Sequence, residues 1–209
     1  MIKFKWLMVT AAITTSVNFN LYAEALTSQI ANWPCDQAYL PEVPAAVVWA
    51  GPSIEGLNHK WQQDDSIEAM VRRLVAEEYD LEKADGDIAE FAENQQPGLK
   101  DQNLTLLFAG VISQMNEQRQ KALSGIIRYA DGQAIRAEQL SEQLDEMIRL
   151  QDDASAEAQR RLQVMQNEME IKQRMFDERE SFIQHLCTRP RLFEEKLGVL
   201  ARTIAYYVD

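Results

Sequence analysis

Few side chains in this 209-residue chain are equipped for chemistry: two cysteines, Cys35 and Cys187, and two histidines, His59 and His185. A serine or cysteine nucleophile needs a neighbouring base and a group to orient that base. His185 stands two positions before Cys187, and on a helix that spacing turns the side chains ~200° apart. Covalent haem attachment needs C-x-x-C-H, which the distant cysteines do not form. A carboxylate-bridged di-iron bundle needs Glu-x-x-His twice, but the residues three before His59 and His185 are Gly56 and Phe182. H-E-x-x-H, a glycine-rich phosphate loop and a G-x-S-x-G elbow do not occur. No catalytic residue and no cofactor are therefore assigned.

Thioethers are soft ligands suited to Cu(I), which makes Met165, Met169 and Met175, with His185, a candidate soft-metal set. Met165 and Met169 are four apart and share a helical face. The same two residues fall on an apolar stripe, where methionine fills irregular cores, and core packing is the preferred reading. The acidic runs Glu77-Glu78, Asp85 with Asp87, and Asp152-Asp153 lack the EF-hand spacing and read as solvated helix faces.

Charge narrows the partner classes. The chain holds 33 acidic against 21 basic residues, a net charge of −12, with a sequence pI near 4.7. Nucleic acid is excluded as a partner, because neutralising phosphates needs a surplus of Lys and Arg.

Residues 1–23 have a basic start (Lys3, Lys5), an apolar stretch from Trp6 to about Phe19, and then small residues, Ala23 and Ala25, at which a cut could fall. This is the layout of a secretory signal peptide, cut after Ala23 or after Ala25. Losing two lysines and no acid would take the net charge from −12 to −14. No later segment is a long apolar run, so the expectation is a soluble product in the periplasm or another exported compartment, with no membrane insertion after cleavage. Oxidising compartments let cysteine pairs persist. Cys35 and Cys187 are accordingly expected to form one intramolecular disulfide.

The elements that must position these residues fall into two textures. Residues 24–64 hold four of the six prolines (Pro34, Pro41, Pro44, Pro52) and the tryptophans Trp33, Trp49 and Trp61. Proline biases the preceding residue to extended backbone, and Gly51-Pro52 marks a turn. The reading is an irregular arm packed on a helical body. Trp49 and Trp61 are kept as candidates for a recognition surface.

From residue 65 onward apolar residues recur every three to four positions. Helices are expected over about 65–93, 101–151, 156–187 and 189–207. Asp65 to Glu68 reads as a capping box, and Pro97-Gly98 as a stop. Asp152-Asp153-Ala154-Ser155 reads as a hinge, and Thr188-Arg189-Pro190 as a restart. Gly110, Gly125 and Gly132 interrupt the second helix and mark kinks or close contacts. In the third helix, apolar residues step at heptad a and d intervals, interrupted by Lys172 and Arg179.

The predicted fold is all-α: a helical bundle with a long antiparallel coiled-coil hairpin and a Pro/Trp-containing arm. Its tip offers Leu144 and Met147 as interaction candidates, and its seam leaves room for a homodimer. The functional expectation is an exported, non-enzymatic protein that works through protein contacts as a scaffold, adaptor or assembly subunit, with its partner unknown. The alternatives are a periplasmic chaperone-like client binder and a soft-metal or small-ligand-binding bundle.

Overall fold

The computed structural model describes residues 33–209. The signal-peptide reading of 1–23 and the first part of the arm, 24–32, lie outside the described residues. Five α-helices follow in order: α1 (Ala45–Val48), α2 (Asp65–Val75), α3 (Ala84–Glu93), α4 (Lys100–Gln151) and α5 (Ala156–Tyr206). Short 3-10 turns occupy Lys60–Gln63 and Leu81–Lys83. There is no strand among the described residues.

Helices α4 and α5 are 52 and 51 residues long, about 75–80 Å each at 1.5 Å per residue. They pack antiparallel through the hinge expected at 152–155. Within it, Asp153 Oδ1 accepts from Ser155 N at 2.8 Å, and Ser155 Oγ caps α5 by accepting from Ala158 N at 3.2 Å. The Ser155 N–H, with a second hydrogen bond from the same serine, lowers the Asp153 carboxyl below its ordinary range.

Three boundaries differ from the sequence expectation. The α2 cap is Asp64, whose Oδ1 accepts from Ser66 N and Ile67 N at 2.9 and 3.0 Å; Asp65 is already helical. The single helix expected over 65–93 is two. Past Val75 the next stripe positions are the acids Glu77 and Glu78, and the chain turns there before Asp80 accepts from Glu82 N at 3.1 Å. The break lets α3 lay Ile88 and Phe91 into the same core as α2.

The third difference is at Pro190, which lies inside α5 rather than opening a new helix. Thr188 does not cap; its hydroxyl donates back to the His185 carbonyl at 2.7 Å. A proline in a helix interior forfeits the bond to the carbonyl four residues before. The helix survives because Pro190 is itself buried and core residues Leu197, Leu200 and Ile204 anchor the turns that follow.

The core sits at one end of the long pair. Ile67, Val71 and Leu74 of α2, Ile88 of α3, Leu104, Leu107 and Phe108 of α4, and Leu200 and Ile204 of α5 are at most 1 % exposed. Burying large aliphatic side chains in this way stabilises by roughly 1.5–3 kcal/mol each. Gly110 is required here. A Cβ on it would stand 2.5 Å from Val71 Cγ2 and 2.9 Å from Trp61 Cδ2, so the α2 and Trp61 approach depends on its absence.

The arm is fastened at several places along this body. Trp61 is 3 % exposed and donates from Nε1 to the Asn58 carbonyl at 2.9 Å. Trp49 stacks on Phe108, with centroids 4.0 Å apart and planes 5° from parallel. Asn116 reads the backbone of Val43 on both sides, accepting from its N–H at 2.9 Å and donating to its carbonyl at 3.2 Å. Farther along, Cys35 and Cys187 stand at bonding distance, with Cα atoms 5.6 Å apart, and cluster with Ile126.

Candidate interaction surface

The disulfide is where the body ends and the free hairpin begins. Gln37 Nε2 donates to the Cys187 carbonyl at 2.6 Å, and Trp33 Nε1 donates to the Gln37 carbonyl at 2.6 Å. This seat lies next to the ladder position that Pro190 disturbs. From Ile126 to Gln151 the hairpin extends about 40 Å farther, with α4 and α5 packing against each other.

That two-helix stretch is thinly packed. Tyr129 Oη donates to the Arg179 carbonyl at 3.0 Å, and Gln133 Nε2 donates to the Phe176 carbonyl at 3.2 Å. The Gln133 side-chain oxygen is buried without a protein partner. Near the tip, Met147, Ala158 and Leu162 are buried, and Arg161 pairs with Glu146 across the helices. Between these two regions, residues 134–139 are all exposed. There the seam opens into a groove of about 470 Å³ whose lining includes Arg136, Gln139, Lys172, Met175, Phe176 and Arg179. Lys172 Nζ donates to Gln143 Oε1 at 3.2 Å within it.

The sequence-predicted interaction residues separate. Leu144 is 52 % exposed on the hairpin. Met147 is buried between the helices and Trp61 within the body core, so neither presents a surface. Trp49 is half-buried against Phe108. The soft-metal set does not converge, since Met169 and His185 are sixteen residues apart on one helix, about 24 Å along its axis. Met165 and Met169 lie half-buried on the seam, whereas His185 is exposed with its ring 5.9 Å from that of Phe182.

Sequence reading missed the row of large apolar residues exposed on α5. Val164, Ile171, Met175 and Phe182 are each about half exposed, and Leu192 is 60 % exposed. From Val164 to Phe182 the intervals of seven, four and seven are heptad steps, the same signal that marks the buried seam one position along. The second stripe was therefore legible, but its lack of a cover was not.

Two charged nodes lie in the body. Arg119, 3 % exposed, donates from Nε to Glu194 Oε1 at 2.8 Å and from Nη1 to the carbonyls of Leu40 and Pro41. On the other flank Asp87 accepts from Arg73 at 2.7 Å and from the Tyr79 hydroxyl at 2.8 Å. Burial, and then the bond to Asp87, raises the Tyr79 phenol well above its ordinary range. Lys196 donates to the Ala76 carbonyl and lies over the Tyr79 ring, and burial lowers its ammonium below the usual lysine range.

Comparison with protein-family models, with curated proteins and with solved structures returned no match for this chain. Among the described residues no helix is long and apolar enough to cross a membrane.

Proposed function

We propose that this chain is an exported, non-enzymatic helical protein that acts by protein contact, as a scaffold, adaptor or assembly subunit, with the hairpin as its contact element. The observation that carries the reading is the exposed row Val164, Ile171, Met175 and Phe182, on a hairpin whose two helices cover only part of their own apolar surface. Large side chains left uncovered in register along one face mark interaction sites more often than single scattered ones do. A helix pair of this kind suits recognition by addition of further helices. Export is supported by the signal-like residues 1–23 and by the Cys35–Cys187 pair, which is compatible with an oxidising compartment.

The test is affinity capture of the full chain and of a variant lacking residues 135–170. Retention of one or two specific partners by the full chain, and their loss from the shortened one, is the expected result. Partners kept by the shortened chain would overturn the role given to the hairpin. Suppression of aggregation of unrelated denatured proteins at near-stoichiometric ratios would instead favour a client-binding chaperone.

A further inference from the structure

The exposed row on α5 borders a succession of three openings along one face, whose other wall is α4. The groove at Arg136 and Lys172 is followed toward the body by a second of about 440 Å³, between Ala122, Gly125 and Tyr129 of α4 and Leu186, Arg189 and Phe193 of α5. A third opening carries the same face on to Leu192 and Lys196. Met175 lines the first, Leu192 lines the third, and Phe182 lies 6.0 Å from the Tyr129 ring that lines the second. On α4 the wall runs through Gln118, Ala122, Gly125, Tyr129, Arg136 and Gln143, with Gly132 falling at the next step of the same three-four spacing. This is a heptad face of about 25 residues, near 38 Å long.

The charge of this face is opposite to that of the molecule. Six cations line the three openings (Lys121, Arg136, Lys172, Arg179, Arg189 and Lys196) against two acids, Glu77 and Glu142. The whole chain carries 21 basic and 33 acidic residues. Glu117 and Glu168 pair with Lys121 and Lys172 at 2.7 and 3.6 Å, and the balance stays positive when both are counted. Glu178 interrupts the apolar row itself, and with it the face holds six cations to five acids, against 21 to 33 for the chain.

The glycines of α4 agree with a cover from outside. Glycine in a helix interior is unfavourable relative to alanine, and Gly110 has a neighbour that demands it. Gly125 and Gly132 do not. A Cβ on Gly125 would meet only its own Arg128 at 4.0 Å, and one on Gly132 only the flexible end of Arg136 at 3.0 Å. The space beside Gly125 is open, and over Gly132 lies only the Arg136 guanidinium, which donates to the Gly132 carbonyl at 2.6 Å and can swing away.

Resting on the contact-protein reading above, we infer that the α4/α5 groove seats an acidic amphipathic helix of a partner protein. Its apolar stripe would lie on Met175, Phe182 and the floor at Gly125 and Gly132, and its flanking carboxylates would meet Arg136, Lys172 and Arg179. A second copy offering the same face would bring six cations against six, and like charges across an interface select against that pairing.

The experiment uses the full chain and two designed helical peptides of about four heptads, both with Leu at a and d, one with Glu at the flanking positions and the other with Lys. The expected result is binding of the Glu peptide about tenfold or more tighter than the Lys peptide. Two variants then address the site. Gly125→Leu with Gly132→Leu fills the floor and should abolish Glu-peptide binding while thermal stability holds or rises. Arg136→Glu with Lys172→Glu and Arg179→Glu should invert the preference. Equal binding of the two peptides, or Glu-peptide binding that survives the filled floor, overturns the inference. So does concentration-dependent self-association of the chain alone that the filled floor abolishes, which would make a second copy the occupant. If the peptides fail while deletion of 135–170 still removes a captured partner, the contact-protein reading stands and only this face and chemistry fall.

Discussion

Arg119 on α4 and Glu194 on α5 meet through both Nε and Nη2, at 2.8 and 2.7 Å from one carboxylate oxygen. The rest of the same guanidinium holds the arm through the Leu40 and Pro41 carbonyls. One buried side chain therefore ties together the two long helices and the segment that crosses them. Removing one partner of a buried charged pair costs 3–5 kcal/mol where both are sealed from water. Glu194 retains 40 % side-chain exposure, which reduces the cost. Arg119→Met should lose roughly 2–3 kcal/mol in chemical denaturation, with faster hydrogen exchange at residues 40–43. Arg119→Lys should fall between, because lysine lacks the planar fork. An Arg119→Met protein as stable as the parent would show that the node is ornamental.

The glycines of α4 allow a paired measurement. Gly110→Ala places a methyl 2.5 Å from Val71 Cγ2 and 2.9 Å from the Trp61 ring, both held in the core. Overpacking of this kind costs about 1–3 kcal/mol. Gly125→Ala meets no such neighbour and should gain up to about 1 kcal/mol from helix propensity. In a domain of this size that corresponds to a Tm rise of about 2–4 °C. Opposite signs at two glycines of one helix are the expected outcome of thermal denaturation. A matching sign would mean that the packing at Gly110 is misjudged.

Why the hinge was legible in the sequence and the body was not follows from range. Asp153 and Ser155 stop and restart helices through bonds to their own neighbours, so local rules suffice there. Pro190 obeys the same local rules on paper, yet α5 continues because Leu197, Leu200 and Ile204 hold its next turns in a core built from three other helices. Trp49 and Trp61 are alike as residue types, and only Phe108 and Gly110 decide that both pack inward. In the hairpin, Lys172 and Arg179 stood out as breaks in the heptads. That they share a groove with Arg136 depends on the register between α4 and α5, which one helix's spacing does not contain.

The Cys35–Cys187 pair joins positions 152 apart in sequence, for which the chain-entropy account puts stabilisation on the order of 5 kcal/mol. The arm keeps further attachments without it, at Arg119, Asn116, Trp49 and Trp61. Reduction, or Cys35→Ser with Cys187→Ser, should therefore lower stability by about 2–5 kcal/mol without abolishing the helical fold. Hydrogen exchange should rise first at residues 33–38, where Trp33 and Gln37 lose the seat beside Cys187, while 43–49 stay protected. Uniform loss of protection across the body on reduction would mean that the staple, rather than Asn116 and Trp49, holds the arm.

Tyr79 makes the fold sensitive to alkali. Its phenol is raised in the folded chain, first by burial and then by the hydrogen bond to Asp87, whereas an unfolded tyrosine ionises near pH 10. Between those two values the folded state binds more protons than the unfolded one, so stability falls as pH rises. The contribution is fully present below about pH 10 and is lost above it, because ionisation would place a phenolate against the Asp87 carboxylate. Tyr79→Phe removes that dependence. It gives up one hydrogen bond, so it should be less stable by roughly 1 kcal/mol at neutral pH, and the gap to the parent should narrow as pH climbs past 10. Chemical denaturation across that range, together with a phenolate absorbance titration in which Tyr79 ionises after the exposed tyrosines, measures both parts. A gap that stays constant with pH would show that Tyr79 titrates as an ordinary surface phenol, leaving the packing of Lys196 over its ring without electrostatic consequence.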